Sequence, residues 1–307
     1  MKIELGVNNC FAVKRWTETE KWCQIVAEDF KVKNVQFSFD LLDPIINDQF
    51  HLKEYKKIRE ITKNFDIKIN TTFTGLSAYS FNNLLHPDNG FRNKAIYWIE
   101  KAICASAEMG AEGIGGAFGA LTVKDYQDQN RRQFLKQNLF DSLSYITEVA
   151  KCFGLKYFLW EPTPLARELS HTIEEARYFY QEANKNASIP ILFCLDTGHA
   201  CARDTKGADR DPYSWIIELG KYSPIIHLQQ TDGKNDSHWP FTSEFNQQGI
   251  IKPNLLFDAL KKSGAQNITL MLEINHVFEE DDQKVINDWS ESINYWKNEL
   301  DQISYTL

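Results

Sequence analysis

Three features that would place a chain in particular functional classes are missing from this sequence. It has 34 lysines and arginines against 42 aspartates and glutamates, giving a formal net charge of −8 at pH 7. Such a balance provides no overall positive field, so nucleic acid and anionic membranes are disfavoured as partners. No apolar run approaches the ~20 residues of a membrane-spanning helix, and Met1–Val7 is typical of a strand rather than of a signal peptide. We therefore expect a cytoplasmic protein that acts on small molecules.

Cysteine and linker-type sequence are also sparse. The six cysteines show no Cys-x-x-Cys spacing, so we expect reduced, mostly buried thiols rather than a disulfide framework. No proline- or serine-rich linker and no block of like charge divides the 307 residues, of which 43% are hydrophobic. These values are ordinary for a globular protein with enough chain for a large core. The sequence predicts a single domain over residues 1–307.

Apolar runs of strand length alternate with stretches of helical periodicity along the chain. This alternation, without antiparallel hairpins, predicts a parallel α/β fold, and eight repeats predict closure as a (β/α)8 TIM barrel. The predicted strands are Ile3–Val7, Asn34–Phe39, Ile67–Phe73, Gly113–Phe118, Lys156–Pro162, Ile191–Ala200, Pro224–Gln230 and Ile268–Asn275. The predicted helices begin near Thr17 and near Asp211–Pro212, or cover Leu52–Asn64, Phe91–Met109, Val123–Phe153, Thr172–Asn186, Pro253–Ser263 and Lys284–Leu300.

Two connections between these elements are unusually long. Thr74–Gly90 exceeds an ordinary loop between a strand and a helix and is a candidate lid. Thr231–Ile251 is rich in aspartate, asparagine, glycine and glutamine and is predicted to be irregular. The glycines of Gly113–Phe118 either let a ligand approach the backbone or allow a tight corner of the barrel.

Four predicted strands end in a side chain that can ligate a metal ion: Glu161, Asp196, His227 and Glu273. Taken singly, such a carboxylate is most simply a capping or salt-bridged group, and such a histidine a core residue with satisfied hydrogen bonds. Parallel barrel strands all point to one end, however, and three buried carboxylates without a cation would be costly. The set therefore predicts a site for one divalent ion, such as Mn²⁺, Mg²⁺, Co²⁺ or Zn²⁺, at the C-terminal ends of the strands.

The same strand ends carry a family resemblance. The motifs LWEP, LDTGHA, IHLQQ and MLEIN occur in this order, and over essentially its whole length the chain resembles the xylose-isomerase-like (β/α)8 barrels. Within them it is similar to the ketose 3-epimerases related to D-tagatose 3-epimerase. The resemblance implies that the four residues hold one metal ion, most often Mn²⁺. It also implies an isomerase in which Glu161 and Glu273 remove and return the proton at C3 through a metal-stabilised enediolate.

Expected substrate contacts come both from residues that match the family and from positions where this chain differs from it. His199 is expected to bind a substrate oxygen, the alternative being a histidine that only caps the strand end. Arg167 stands where free-sugar enzymes carry an acidic contact, and a guanidinium there favours a phosphate; the alternative is a surface salt bridge with Glu168 or Glu174. The arginine that follows the metal histidine in the family is missing, and Gln229 is instead a candidate contact.

The loop after the His227 strand supplies one more candidate contact and a hint of the substrate. His238 is expected to close over the substrate, whereas Trp239 beside it could instead form a homodimer surface. EPTPLARE, HLQQTD and HWPFT together look most like the branch that acts on four-carbon ketose phosphates, the erythrulose-phosphate 3-epimerases. The expected substrate is therefore a small sugar or sugar phosphate.

Three rival functions stay open. An aldose–ketose sugar isomerase of the same superfamily would use the same ligands and differ only in the carbon that loses its hydrogen. A metal-dependent sugar-binding protein would not need two carboxylates facing each other across a substrate. Endonuclease IV-type repair enzymes also resemble the chain at the four ligands and His199, and Asp236-Ser237-His238 imitates their Asp-x-His element. Those enzymes need further histidines at the third and fourth strand ends, where this chain has Thr71, Thr72, Gly115 and Gly116.

Overall fold

The computed structural model describes residues 1–45 and 48–304. They fall into two compact units, one made of residues 1–36, 61–68 and the chain from Cys194 onward, the other of residues 37–60 and 69–193. The prediction of one domain over residues 1–307 stays a prediction, and its last three residues lie outside the described part.

Eight parallel strands pair in sequence order and close into a barrel, as the sequence predicts. The strands are β1 (Lys2–Asn8), β2 (Asn34–Ser38), β3 (Lys68–Phe73), β4 (Gly113–Gly116), β5 (Tyr157–Trp160), β6 (Ile191–Asp196), β7 (Ile225–Leu228) and β8 (Asn267–Leu272). The fourth strand is shorter than the predicted Gly113–Phe118. It ends at Gly116, whose φ of +153° is a backbone conformation that residues with a side chain rarely adopt.

Eleven α-helices connect or flank these strands within the described residues. They are α1 (Thr19–Gln24), α2 (Asp48–Asn64), α3 (Gly75–Tyr79), α4 (Asn89–Met109), α5 (Val123–Gln127), α6 (Gln129–Cys152), α7 (Ile173–Asn184), α8 (Pro212–Leu219), α9 (Ser243–Gln248), α10 (Pro253–Ser263) and α11 (Asp282–Ser304). No helix in this part of the chain is both long and apolar enough to cross a membrane.

The single helix predicted over Val123–Phe153 is wrong, because the structure breaks it at Asp128. Asp128 has an extended backbone, with φ −88° and ψ 111°. Its side chain accepts hydrogen bonds from the backbone N–H groups of Asn130 and Arg131 and so caps a new helix. Residues 127–133 include no apolar residue, so hydrophobic periodicity does not locate the break within this stretch.

The segment Thr74–Gly90 contains more regular structure than a lid loop requires. Its first turn is α3, where the backbone N–H groups of Leu76 and Ser77 donate to the carboxylate of Asp40. Further along, Leu84 and Leu85 are fully buried. The later part of this segment is therefore packed into the protein. Its role as a lid stays a prediction.

Burial of the thiols differs in part from the expectation. Cys23, Cys194 and Cys201 are buried, whereas Cys10 and Cys104 are half-buried and Cys152 is exposed. Burial raises the pKa of the Cys23 thiol, and the nearby Glu20 adds to the effect. Only half of the six cysteines are therefore buried, fewer than the sequence suggests.

The close approach of β1 to its neighbours can be tested at Gly6. A Cβ there would lie 2.7 Å from the carbonyl oxygen of Asn34 and 2.7 Å from Sδ of Met271. Because the β2 backbone cannot yield cheaply, we expect Gly6→Ala to lower the free energy of unfolding by about 1–3 kcal/mol. Urea-induced unfolding measures this change.

The matched control is Gly90→Ala in the first turn of α4. The nearest atom to a Cβ there is the flexible Asp88 carboxylate, at 3.1 Å. Alanine favours a helix over glycine by up to about 1 kcal/mol, so the unfolding midpoint should be unchanged or higher. Equal midpoints for Gly6→Ala and the unsubstituted protein would contradict the close contact described for β1.

Candidate metal centre

Side chains from four strand ends form a compact group of ligand-capable atoms. Glu161 directly follows β5, Asp196 ends β6, His227 lies within β7, and Glu273 directly follows β8. Each offers one ligand atom, and these atoms all lie within 4.8 Å of one another. The structure thus brings together the four residues that the sequence singles out. Two glutamates, an aspartate and a histidine suit a divalent cation that accepts mixed oxygen and nitrogen ligands.

The Asp196 carboxylate shows why a cation fits this group. Its Oδ1 accepts hydrogen bonds from the backbone N–H of Gly198, at 2.5 Å, and from Nε2 of Gln229, at 2.9 Å. Its Oδ2 is buried and has no hydrogen-bond partner among the described residues. Burial raises the pKa of Asp196 to about 6, although the nearby His199 opposes the shift. An unsatisfied buried carboxylate oxygen is costly, and a bound cation would remove that cost.

Glu273 is held in its ionised form by its neighbours. Its Oε2 lies 3.0 Å from Nδ1 of His227, and its Oε1 accepts a hydrogen bond from Nδ2 of Asn8 at 2.9 Å. Burial alone would raise the pKa of Glu273, but the proximity of His227 outweighs it, and the net pKa is below the ordinary value. Only the ionised carboxylate can serve as a metal ligand or as a base, so this environment favours both roles.

A second group lies beside the first and consists of His199, Asp236 and His238. Nε2 of His199 is 3.4 Å from Oδ2 of Asp236, and Nε2 of His238 is 3.3 Å from Oδ1. Burial opposes protonation of His238, but the hydrogen bond to Asp236 outweighs it and raises the His238 pKa to about 9. Burial would likewise raise the pKa of Asp236, but His199 and His238 hold it well below its usual range. Near neutral pH, His238 is therefore a hydrogen-bond donor at both nitrogens.

Gln229 joins the two groups. Its Nε2 donates to Oδ1 of Asp196 at 2.9 Å and to Oδ1 of Asp236 at 2.6 Å, and its Oε1 accepts from the backbone N–H of His238 at 2.5 Å. The motif LDTGH makes room for it, since a Cβ at Gly198 would lie 2.2 Å from Cδ of Gln229. The amide of Gln229 is thus engaged by protein groups, and its predicted contact with substrate stays a prediction.

Arg167 belongs to neither group. It lies in a 3-10 turn, Ala166–Glu168, is half-buried, and donates from Nε to the carbonyl oxygen of Leu121 at 3.2 Å. Glu168, which the sequence offers as its salt-bridge partner, accepts a hydrogen bond from Oγ1 of Thr163 at 2.7 Å. The predicted role of Arg167 as a phosphate anchor stays a prediction.

Three residues around these groups are not among the site candidates expected for the epimerase, although the sequence names Asp236 as part of the rival Asp-x-His element. Asp236 is the centre of the second group, and Asn8 and Gln36 contact the first. Asn8 is the last residue of β1 and Gln36 the middle residue of β2, and their exposed fractions are only 2% and 0%. A buried amide in an otherwise apolar strand needs hydrogen-bond partners, and that is the signal that could have identified both.

Relatives of known activity resemble the chain over nearly its whole length. A D-erythrulose 1-phosphate 3-epimerase from Brucella abortus is 28% identical over 310 residues, covering 98% of this chain and 97% of the relative. The crystal structure of a D-psicose 3-epimerase from Clostridium cellulolyticum shares the fold, with 16% identity, a TM-score of 0.73, and coverage of 97% of this chain and 99% of that one. The similarity to the Brucella abortus epimerase confirms the expectation of an enzyme of the isomerase class.

Two further comparisons concern the fold and the family. A Rhodospirillum rubrum protein whose crystal structure carries a xylose isomerase designation is 29% identical, with a TM-score of 0.90 and coverage of 97% of this chain and 99% of that one. The family model described as the xylose isomerase-like TIM barrel matches residues 26–299, and the chain belongs to that family.

Proposed function

We propose that the protein is a metal-dependent 3-epimerase of a short ketose phosphate, with erythrulose 1-phosphate as the first candidate substrate. The observation that carries the proposal is the presence of two glutamates, Glu161 and Glu273, in one group with Asp196 and His227. Epimerisation at a carbon next to a carbonyl needs one group to remove a proton from one face and another to return it on the opposite face. The Brucella abortus relative supports the choice of substrate.

The four residues of the first group would hold the divalent ion, Mn²⁺ first, with Mg²⁺, Co²⁺ and Zn²⁺ as alternatives. When bound, the ion would supply Lewis acidity toward the carbonyl and hydroxyl oxygens of the substrate. Glu161 and Glu273 are the proposed acid and base at C3. Since the Glu273 pKa is lowered, its carboxylate is ready to accept a proton at neutral pH.

His199, His238 and Gln229 are the proposed contacts to substrate oxygens. His238, with its pKa raised to about 9, carries hydrogens that face Asp236 and the carbonyl oxygen of Glu273, and a substrate oxygen would share one of these hydrogen bonds. Arg167 is the proposed phosphate anchor, because its guanidinium can offer two parallel N–H groups to an anion. The homodimer and the cytoplasmic location stay predictions.

Removal of the metal tests the cofactor. We expect a chelator to abolish epimerisation and Mn²⁺ or Co²⁺ to restore it, because the ion would supply the Lewis acidity that stabilises the enediolate. Asp196→Asn should reduce the metal content of the purified protein, measured by elemental analysis. The matched control is Asp29→Asn, since Asp29 is exposed. Full activity in the metal-free protein would overturn the metal dependence.

The reaction is tested with erythrulose 1-phosphate in D₂O. A two-base epimerisation exchanges the C3 proton with solvent, so we expect deuterium at C3 together with interconversion of the two C3 epimers, followed by NMR. An aldose phosphate with label at C1 or C2 would instead identify an aldose–ketose isomerase. Unlabelled substrate that is recovered unchanged from the metal-loaded protein would contradict both activities for this substrate.

The two proposed bases are tested by Glu161→Gln and Glu273→Gln. Each change keeps the shape of the side chain and removes its ability to take a proton, so each variant should lose turnover. Because both residues are proposed ligands, the metal content of each variant is measured alongside. A variant that retains its metal and its full activity would exclude that glutamate as a base.

The phosphate anchor is tested by Arg167→Ala. Loss of a charge-assisted bidentate contact should cost roughly 1.5–3 kcal/mol in apparent affinity for the ketose phosphate, with little effect on free erythrulose. Arg177→Ala is the control, because Arg177 is exposed on α7. Steady-state kinetics with both substrates measure the difference. Equal weakening for phosphorylated and free ketoses would place the anchor elsewhere.

A further inference from the structure

A series of buried amides leads from a backbone N–H group to the histidine of the proposed metal site. It begins at Asn8, whose Oδ1 accepts a hydrogen bond from the backbone N–H of Cys10 at 2.9 Å. A backbone N–H can only donate, so the atom of Asn8 that faces it must be the carbonyl oxygen. The orientation of the Asn8 amide is thereby fixed, with its NH₂ group on the opposite side.

The NH₂ group of Asn8 meets two acceptors. Its Nδ2 donates to Oε1 of Glu273 at 2.9 Å and to Oε1 of Gln36 at 2.9 Å. An ionised carboxylate can only accept, which agrees with this orientation of Asn8. Gln36 must then also present its carbonyl oxygen, since the reverse orientation would place two NH₂ groups face to face. The orientation of Gln36 therefore follows from that of Asn8.

The same oxygen of Gln36 lies 2.6 Å from Nε2 of His227. A carbonyl oxygen accepts and never donates, so Nε2 of His227 carries the hydrogen. A ring nitrogen that donates its hydrogen to Gln36 is not available to a metal ion, so Nδ1 is the nitrogen left to bind one. There the ion would replace any hydrogen that Nδ1 shares with Glu273. Nδ1 is the atom that faces Oε2 of Glu273 at 3.0 Å and Oδ2 of Asp196 at 3.8 Å.

From this series we propose that Asn8 and Gln36 are positioning residues that fix the tautomer of His227 and make Nδ1 its metal-binding atom. The inference rests on the proposed metal site. Exposed fractions are 2% for Asn8 and 0% for both Gln36 and His227, so bulk water does not compete for these hydrogen bonds. A hydrogen bond from the second ring nitrogen also orients the ring and raises the basicity of the ligand.

The tautomer is read directly by NMR of the protein with ¹⁵N-labelled histidine, loaded with Zn²⁺ as a diamagnetic probe. Long-range ¹H–¹⁵N correlations distinguish protonated from metal-bound ring nitrogens, and comparison with His227→Asn identifies the signals of His227 among the seven histidines. We expect a protonated Nε2 and a zinc-bound Nδ1. A protonated Nδ1 with zinc on Nε2 would overturn the inference.

Two substitutions of Gln36 separate hydrogen bonding from packing. Gln36→Met keeps the length of the side chain and removes the acceptor, and it should weaken Zn²⁺ binding by roughly 10- to 100-fold. Gln36→Glu keeps an acceptor oxygen toward both neighbours and should bind Zn²⁺ as tightly as the unsubstituted protein or more tightly. Competition with a chromophoric chelator measures both affinities, and thermal unfolding of the metal-free proteins checks their folding.

The outcomes separate this inference from the proposal on which it rests. If the unsubstituted protein binds no Zn²⁺, the proposed metal site fails and this inference fails with it. If it binds Zn²⁺ and Gln36→Met binds equally well, the metal site stands and the positioning role is wrong. Should Gln36→Met not fold, the tautomer of His227 in the unsubstituted protein decides alone.

Discussion

Burying several carboxylates in one place is the constraint on which the rest of the site depends. An ionised carboxylate removed from water costs several kcal/mol unless charges and hydrogen bonds replace its hydration. Glu273 receives Asn8 and His227 as neighbours, and its pKa falls accordingly. Asp196 has hydrogen-bond partners on Oδ1 but none on Oδ2 within the described chain, and burial raises its pKa to about 6. The Asp196 oxygen that lacks a hydrogen bond is thus the one that faces His227, and a cation bound there would stabilise its charge.

The loop that carries His238 is held by backbone hydrogen bonds to residues that follow β7 and β8. Gln230, the second residue after β7, exchanges backbone hydrogen bonds with Trp239 at 2.9 and 3.0 Å, forming an antiparallel bridge. The backbone N–H of Asn275 donates to the carbonyl oxygen of His238 at 3.1 Å. His238 itself has a φ of 46°, which is unusual for a residue with a side chain and costs conformational energy. These surrounding hydrogen bonds hold His238 in that conformation and so keep its ring beside Asp236.

Local sequence predicts the part of the site that depends on one strand at a time. Each ligand candidate is a polar residue at the end of an apolar run, and that pattern needs no knowledge of the neighbours. The hydrogen-bond partner of His227 is Gln36, 191 positions away, and the orientation of Gln36 depends in turn on Asn8 in another strand. The break at Asp128 escapes for a related reason, because the capping hydrogen bonds of Asp128 set it within a polar stretch that offers no hydrophobic periodicity to locate it. The roles of the substrate contacts depend on a ligand, which the sequence pattern does not describe.

The two groups of ligand-capable residues favour partners of different kinds, so the site has two chemically distinct sides. The first group has three carboxylates to one imidazole and favours a cation. In the second, two imidazoles share one carboxylate, and His238 retains its proton up to a pH of about 9. Gln229 donates to Asp196 in the first group and Asp236 in the second, so the two groups cannot shift independently. A small polar molecule between them would meet a cation-binding surface on one side and hydrogen-bond donors on the other. Such an asymmetry would suit the proposed ketose substrate, whose carbonyl and hydroxyl oxygens need different partners while a proton leaves the carbon beside the carbonyl.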